Sequence, residues 1–172
     1  MTSDKRREKI EDILKSNTEP TTATQLAKEF SVSRQVIVGD IALMRAAGLK
    51  ISATPRGYVL NIDLDISDTI FTIACRHERD NMAIELFTIV DNGGTIMDVT
   101  VEHPIYGEIS GELRISTRYE ANMFLDNIKN NEAQPLMMLT GGIHLHKIKC
   151  KDEQIKKRII KELKKENIIF VE

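Results

Sequence analysis

All four histidines of this 172-residue chain lie after residue 60, and two of them are only two positions apart. His144 and His146 occur in the segment GGIHLHKIKC, whose composition favours a β-strand. Because alternate side chains of a strand project from the same face, the two imidazoles lie side by side. Neutral imidazoles paired in this way are good ligands for zinc, nickel, copper or iron. The preceding Gly141 and Gly142 indicate a strand end, where we expect the pair to be accessible.

Two further residues extend this pair into a candidate metal site. His77 ends a strand-like segment, and Glu85 follows eight residues later on a predicted helix, so the chain can fold both groups toward one point. The candidate ligands are therefore His77, Glu85, His144 and His146; the alternative is that the histidines are ordinary exposed strand residues. A metal would also permit a hydrolase with Glu85 or Glu102 as general base. The sequence has no Ser-His-Asp set, Cys-His set or phosphate-binding loop, so we expect a regulator and not an enzyme.

The elements that must position these side chains follow from the hydrophobic periodicity of residues 69–172. Strand-like and helical segments alternate there, which predicts a C-terminal α/β sandwich in a chain of the α+β class. The predicted strands are 69–77, 95–103, 105–115, 137–150 and 168–171, and the predicted helices are 81–90, 119–128 and 153–165.

Residues 1–61 have a different pattern, which predicts a winged helix-turn-helix domain. Apolar residues at helical spacing predict a helix over 3–16, and Thr22 with Gln25 forms a capping-box pattern that begins a second helix. After a short turn, Ser33 caps a third helix. A β-hairpin around residues 54–57 forms the wing. The residues of the third helix that we expect to face the core are Val36, Ile37, Ile41 and Met44.

The start of the third helix is the candidate DNA-binding surface. Ser33, Arg34 and Gln35 are residue types that bind base edges or phosphates from a helix N-terminus, and Arg56 in the wing is a further candidate. Residues 1–60 hold 10 Lys or Arg against 7 Asp or Glu, whereas residues 61–172 hold 14 against 19. This asymmetry favours an anionic partner for the N-terminal domain. The alternative is a winged helix used for protein contact.

Composition indicates a soluble globular protein, because 41% of the residues are apolar and 29% are charged. No segment has the roughly 20 apolar residues of a membrane span. Only two cysteines occur, Cys75 and Cys150, and the N-terminus has no apolar signal core. We therefore expect a cytoplasmic protein.

Four segments carry a resemblance to known families. QLAKEFSVSRQVIVGDIALMRAAGLKISATPRGYVL resembles the winged helix-turn-helix of biotin-repressor-type regulators, while CRHERDNMAIEL, VEHPIYGEISGELRI and LTGGIHLHKI resemble the 3H domain, named for its histidines. The chain is thus similar over nearly its full length to niacin-responsive repressors that control NAD biosynthesis and niacin uptake genes. The resemblance implies nicotinic acid as effector. It also implies one transition metal ion per subunit, nickel, zinc or iron, at the positions of His77, Glu85, His144 and His146.

Nicotinate offers a pyridine nitrogen that can complete a metal's coordination sphere and a carboxylate that needs a cationic or amide partner. Arg76, Arg79 and Arg114 are candidate partners, with an ordinary surface role as the alternative for each. His103 and Tyr106 are candidates for the effector pocket or a dimer contact, and the alternative for His103 is a strand-end residue ordered by its neighbouring proline.

The patterns predict a homodimeric repressor of a palindromic operator, with domains at 1–61 and 69–172, and the resemblance implies nicotinic acid as its co-repressor. A repressor that responds to the metal alone, without an organic effector, is the alternative.

Overall fold

The structure is a computed structural model that describes residues 2–61, 68–132 and 134–170. The chain divides into two compact units, Met1–Asp63 and Leu64–Glu172. Among the described residues, no helix has both the length and the apolar composition needed to cross a membrane.

The first unit consists of three helices followed by a two-stranded antiparallel hairpin. The three helices pack around a core that includes Ile10, Leu26, Ile37 and Ile41, all of which are buried. The wing strands pair from Ile51 opposite Leu60 to Thr54 opposite Gly57. The elements are α1 (Ser3–Ser16), α2 (Ala23–Phe30), α3 (Arg34–Ala46), β1 (Ile51–Thr54) and β2 (Gly57–Leu60).

Local hydrogen bonds explain where α2 and α3 begin and end. The Oγ1 atom of Thr22 accepts from the backbone N–H of Gln25, whose side chain accepts in return from the N–H of Thr22, so the predicted capping box is confirmed. Ser31 ends α2 in the left-handed region, with φ of 53°. Ser33 then caps α3 by accepting from the N–H of Val36. Val36 itself is 39% exposed, so its predicted core position is wrong.

The second unit is a four-stranded antiparallel sheet with helices packed on it. The strand order is β3-β6-β4-β5, so the strand carrying His144 and His146 lies between two others. The elements are β3 (Thr69–Arg76), α4 (Met82–Asp91), β4 (Thr95–His103), β5 (Gly107–Ile115), α5 (Arg118–Asn130), β6 (Ile143–Cys150) and α6 (Glu153–Lys165), with short 3₁₀ helices at Arg79–Asn81 and Leu136–Thr140.

Alternating burial explains how this sheet holds its core. The inward-facing residues of β3 and β6 pack against α4 and α6, while Ile143 and Leu145 project from the opposite face and are each 38% exposed. The buried cluster includes Phe71, Ile73, Ile89, Ile148 and Ile159.

The structure departs from the predicted elements in two places. The segment predicted as extended over 137–150 begins instead with the 3₁₀ helix Leu136–Thr140, because its short apolar run fits a buried helical turn as well as a strand. The predicted final strand is a single bridge between Ile169 and Cys75 rather than a strand, and its last residue lies outside the described residues.

Candidate metal centre and DNA-binding helix

Three elements of the second unit bring four side chains together. His77 follows the last residue of β3, Glu85 lies in the first turn of α4, and His144 and His146 lie on the inward face of β6. Strands β3 and β6 are neighbours in the sheet. The four residues predicted from the sequence are therefore adjacent in space and all buried, with His144 2% and His146 3% exposed. The prediction that a strand-end position leaves these histidines accessible is wrong.

The carboxylate of Glu85 is the common neighbour of all three imidazoles. Its Oε2 atom lies 2.9 Å from Nε2 of His77 and 3.4 Å from Nε2 of His146. Its Oε1 atom lies 3.0 Å from Nε2 of His144. The three Nε2 atoms thus converge on a single carboxylate, and the cluster combines the nitrogen and oxygen ligands that divalent transition metals prefer.

The other ring nitrogen of each histidine faces a backbone carbonyl. Nδ1 of His77 lies 2.8 Å from the carbonyl oxygen of Glu78, Nδ1 of His144 lies 2.9 Å from that of Gly142, and Nδ1 of His146 lies 2.6 Å from that of Asp98. A carbonyl only accepts, so each Nδ1 carries the proton. In the neutral ring the Nε2 lone pair is then free to bind a metal.

Nε2 of His77 is a buried atom that makes no hydrogen bond with any described residue. It lies within ion-pair distance of Glu85, but the two groups are not aligned as a hydrogen-bonded pair. Buried polar atoms normally have a partner, so an orphaned ring nitrogen beside a carboxylate fits a position for a cation.

Electrostatics inside the cluster keep Glu85 ionised. Burial alone would raise the pKa of Glu85, but the charge of His146 and the interactions of the carboxylate with all three histidines outweigh it and hold the pKa well below its usual value. Burial lowers the pKa of His77 and His146, yet their interactions with Glu85 raise both above the usual histidine value. A proton and a metal therefore compete for these imidazoles.

Glycine at position 142 permits the close approach of β6 to His77. Its φ is 91°, and a Cβ there would clash with the backbone carbonyl oxygen of His77. No other residue type satisfies both the left-handed backbone and this contact. Gly142 is thus a structural requirement of the cluster.

Cys75 is a further neighbour of the cluster and is not one of the four ligands predicted from the sequence. Ligand atoms of Cys75, Glu85 and His144 all lie within 4.8 Å of one another. Cys75 stands opposite His144 across the β3–β6 pair and two residues before His77, so the period-two pattern would have found it. Burial, followed by the charge of Glu85, raises the pKa of this thiol.

A cavity of about 340 Å³ lies beside the cluster. Glu85, His144 and His146 line one part of it, and Asn127, Asn131 and Gln134 contribute amide groups. The remainder of the described lining is apolar and includes Leu86, Val99, Leu113, Phe124, Leu136 and Met137.

None of the three arginines predicted to contact the effector carboxylate, Arg76, Arg79 and Arg114, is among the described residues that line this cavity. Arg76 lies over the ring of Phe170, Arg79 donates to the carbonyl oxygen of Ile128, and Arg114 pairs with Glu112. The sequence could not exclude them because their distance from the cluster depends on strand order.

His103 and Tyr106 belong to the β4–β5 hairpin. The Nδ1 atom of His103 accepts from the backbone N–H groups of Ile105 and Tyr106, and Tyr106 is 75% exposed. Glu102, the second candidate general base, is also exposed. These three residues are not among the described lining of the cavity beside the cluster.

In the first unit, the candidate DNA-binding residues occupy the start of α3 and the wing. Arg34 and Gln35 are exposed, whereas the hydroxyl oxygen of Ser33 is engaged as the helix cap. Arg56 lies in the wing turn, 3.1 Å from Glu19. An exposed helix N-terminus bearing a guanidinium and an amide has the groups needed to contact a major groove.

Comparison with known proteins identifies both units. Residues 6–59 match the model of an HTH domain, and residues 70–172 match the 3H domain. The chain is 45% identical over 160 residues to the probable transcription repressor NiaR of Thermotoga maritima, an alignment that covers 93% of this chain and 90% of that protein. It is 39% identical over 153 residues to the transcription repressor NadR of Bacillus subtilis, covering 86% and 83% respectively.

The match to the 3H domain spans more than half of the chain, and both relatives align over most of their length. The expected α+β class, with an N-terminal helix-turn-helix and a C-terminal 3H domain, is confirmed. This chain belongs to the family of DNA-binding transcription repressors that join an HTH domain to a 3H domain, and it is a regulator rather than an enzyme.

Proposed function

We propose that this chain is a cytoplasmic homodimeric repressor that binds a palindromic operator, with nicotinic acid as co-repressor and one divalent transition metal ion per subunit. The observation that carries the proposal is the convergence of three imidazole Nε2 atoms on the carboxylate of Glu85. The proposed gene targets, those of NAD biosynthesis or niacin uptake, follow from the family resemblance.

The metal would be held by His77, Glu85, His144 and His146. Two features favour this set: each Nδ1 faces a backbone carbonyl, which orients the ring as in known metal sites, and Nε2 of His77 lacks a hydrogen bond. When bound, the ion would supply a positive charge and cross-link α4 to β6. Nickel, zinc and iron all suit this donor set.

The operator would be bound through Arg34 and Gln35 at the start of α3, with Arg56 in the wing as a further contact. Both α3 side chains are exposed, as contact with base edges requires. One recognition helix covers only a few base pairs, so a two-fold symmetric dimer on a palindrome is the arrangement that supplies enough contacts.

Nicotinic acid would bind in the cavity beside the cluster. The volume of about 340 Å³ is near the lower end of the range of small-molecule pockets, roughly 300–1,000 Å³, which favours a single-ring effector over a dinucleotide. Binding would raise operator affinity by favouring the DNA-competent state of the dimer, since a ligand shifts an equilibrium only by its differential affinity for two states.

The test is calorimetric titration of nicotinic acid into the full-length protein, once loaded with Ni²⁺ and once after treatment with a chelator. We expect binding only in the loaded sample, and tighter operator binding when nicotinic acid is added to it. Equal operator affinity with and without nicotinic acid in the loaded protein contradicts the co-repressor role. If Ni²⁺ alone gives the full response, the metal is itself the signal, which is the second candidate function.

A further inference from the structure

The charges around the cavity constrain which end of a ligand faces the cluster. The lining includes sixteen described residues, and neither lysine nor arginine is among them. Glu85 is therefore the only carboxylate or permanent charge in the described lining, and it is 2% exposed. Without a cation, an acidic ligand at this end would meet a negative charge in a region of low dielectric, which is strongly unfavourable.

The proposed metal reverses this balance. A divalent ion held by three neutral imidazoles and one carboxylate leaves a single positive charge at the end of an apolar cavity. A monoanion beside that charge makes the assembly neutral, whereas a neutral ligand leaves the charge uncompensated. The site therefore favours a ligand with one negative charge, directed toward the cluster.

The rest of the cavity suits an uncharged ring. Leu86, Val99, Leu113 and Phe124 supply apolar lining, which favours a flat hydrophobic body. Asn127 and Gln134 also line the cavity and are themselves exposed, so they mark its solvent side. Their amide groups can donate to a neutral acceptor such as a ring nitrogen, and they supply no charge.

We propose that the cavity binds a single-ring aromatic monocarboxylate with its carboxylate toward Glu85, His144 and His146 and its ring among the apolar residues. This orientation rests on the proposed metal centre, and it makes the ring nitrogen of nicotinic acid the outward group. The carboxylate is then the group required for binding, and the ring nitrogen is dispensable.

Three probes of similar size distinguish the contribution of the carboxylate to binding from that of the ring nitrogen. Nicotinate has both groups, benzoate has only the carboxylate, and nicotinamide has the ring nitrogen without the negative charge. Titrated calorimetrically into the Ni²⁺-loaded full chain, benzoate is expected to bind within about 10-fold of nicotinate, the effect of losing one ordinary hydrogen bond. Nicotinamide is expected to bind at least about 100-fold more weakly, the effect of leaving a buried charge unpaired.

Metal retention gives a second readout that does not depend on repression. Because coupling between two ligands is reciprocal, benzoate must raise the affinity for Ni²⁺ by the same factor by which Ni²⁺ raises the affinity for benzoate. Competition with a chromophoric chelator, with and without benzoate, measures this factor. We expect a clear increase with benzoate and none with nicotinamide.

A cavity-filling variant tests whether the monocarboxylate binds in this cavity. A Cβ at Gly111 would lie 3.8 Å from Leu136 and 3.9 Å from Val99, which is ordinary contact within the cavity. Gly111→Val is therefore expected to weaken benzoate and nicotinate equally while Ni²⁺ binding persists. Ser110→Val, at the exposed neighbouring position on β5, is the matched control and is expected to leave ligand binding unchanged.

The outcomes separate this inference from the proposed function. Metal-dependent binding of nicotinate and nicotinamide, without benzoate, overturns the orientation and leaves the co-repressor role intact. Binding of benzoate without nicotinate supports the carboxylate site and overturns nicotinic acid as the effector. Full ligand affinity in Gly111→Val overturns the location, and no binding by any of the three probes overturns both proposals.

Discussion

The Nε2 atom of His144 lies 3.0 Å from Oε1 of Glu85, although the two residues are 59 positions apart in the chain. The contact joins β6 to the first turn of α4, and the same carboxylate also lies beside His77 and His146. One carboxylate thus contacts all three imidazoles. The charge of Glu85 is therefore the property on which the cluster most depends.

Glu85→Gln keeps the shape of this side chain and removes its charge. Changing groups that only orient metal ligands costs about 10- to 100-fold in metal affinity, so we expect losing a direct ligand to cost at least about 100-fold. Competition with a chromophoric chelator measures this loss of metal affinity. Glu78→Gln is the control, because its side chain is exposed and only its backbone carbonyl contacts His77. Equal metal affinity in both variants would remove Glu85 from the ligand set.

Gly141 and Gly142 provide a matched pair of substitutions. Both have positive φ, 61° and 91°, but only at Gly142 would a Cβ meet the carbonyl of His77; at Gly141 nothing lies within 4 Å. Gly141→Ala is expected to cost about 1–2 kcal/mol of unfolding free energy, the cost of a left-handed backbone. Gly142→Ala is expected to cost more and to weaken metal binding. Urea unfolding of the metal-free full chain measures the difference, and similar values for both would contradict the role of Gly142.

Much of the fold could be predicted because its signals are local. Helices α1 and α6 and strand β4 have the predicted limits, and the capping residues Thr22 and Ser33 act as predicted. The errors fall where local signals are ambiguous. The apolar run Leu136–Leu139 fits a strand and a 3₁₀ turn equally well, and in the structure it forms a 3₁₀ turn that packs against β4 and β6, contacts that its local sequence does not specify.

The candidate site could be predicted only in part. The alternation of side chains along a strand places His144 and His146 on one face. The strand order β3-β6-β4-β5, which brings His77 close to them, depends on pairing between segments that are distant in sequence. The same limit applies to the arginines: Arg76 and Arg79 lie within two residues of His77 in sequence, yet neither is among the described residues that line the cavity, and neither is Arg114. Residue type identifies the candidate ligands, but the strand order determines which of them lie close together in space.

Arg34→Ala and Gln35→Ala test the recognition helix. Each side chain is exposed, so neither change is expected to alter stability much. Loss of one good base contact costs about 1–3 kcal/mol, or roughly 5- to 150-fold in operator affinity. Fluorescence anisotropy at fixed salt measures this, with unrelated DNA as competitor. Lys157→Ala, on α6, removes an equal charge elsewhere and is expected to leave specificity unchanged. Unaltered operator affinity in both α3 variants would refute the assignment.

Asp40 ties α3 to α1 through a buried carboxylate. It lies 2.6 Å from Nε of Arg6 and 3.4 Å from Nη1 of Arg7, and its side chain is 4% exposed. Asp40→Asn leaves these guanidinium groups without their shared anion, so the Tm of the first unit is expected to fall. Asp4→Asn makes the same chemical change at an 85% exposed carboxylate and is expected to have little effect. Equal Tm values for the two variants would show that the buried pair adds no stability.

Cys75 decides between two ligand sets. Its Sγ is close enough to Glu85 and His144 to share a metal, but burial and the charge of Glu85 raise the pKa of the thiol, and only a thiolate is a good ligand. We therefore expect Cys75→Ser to keep the metal affinity of the natural chain. Cys150→Ser, at a second buried cysteine, controls for the packing cost of the substitution. A fall of more than about 10-fold in metal affinity in Cys75→Ser alone, well beyond one ordinary hydrogen bond, would mean that a thiolate ligates. A thiolate would cancel the positive charge that a bound carboxylate needs, so this single result would also overturn the orientation proposed for the effector.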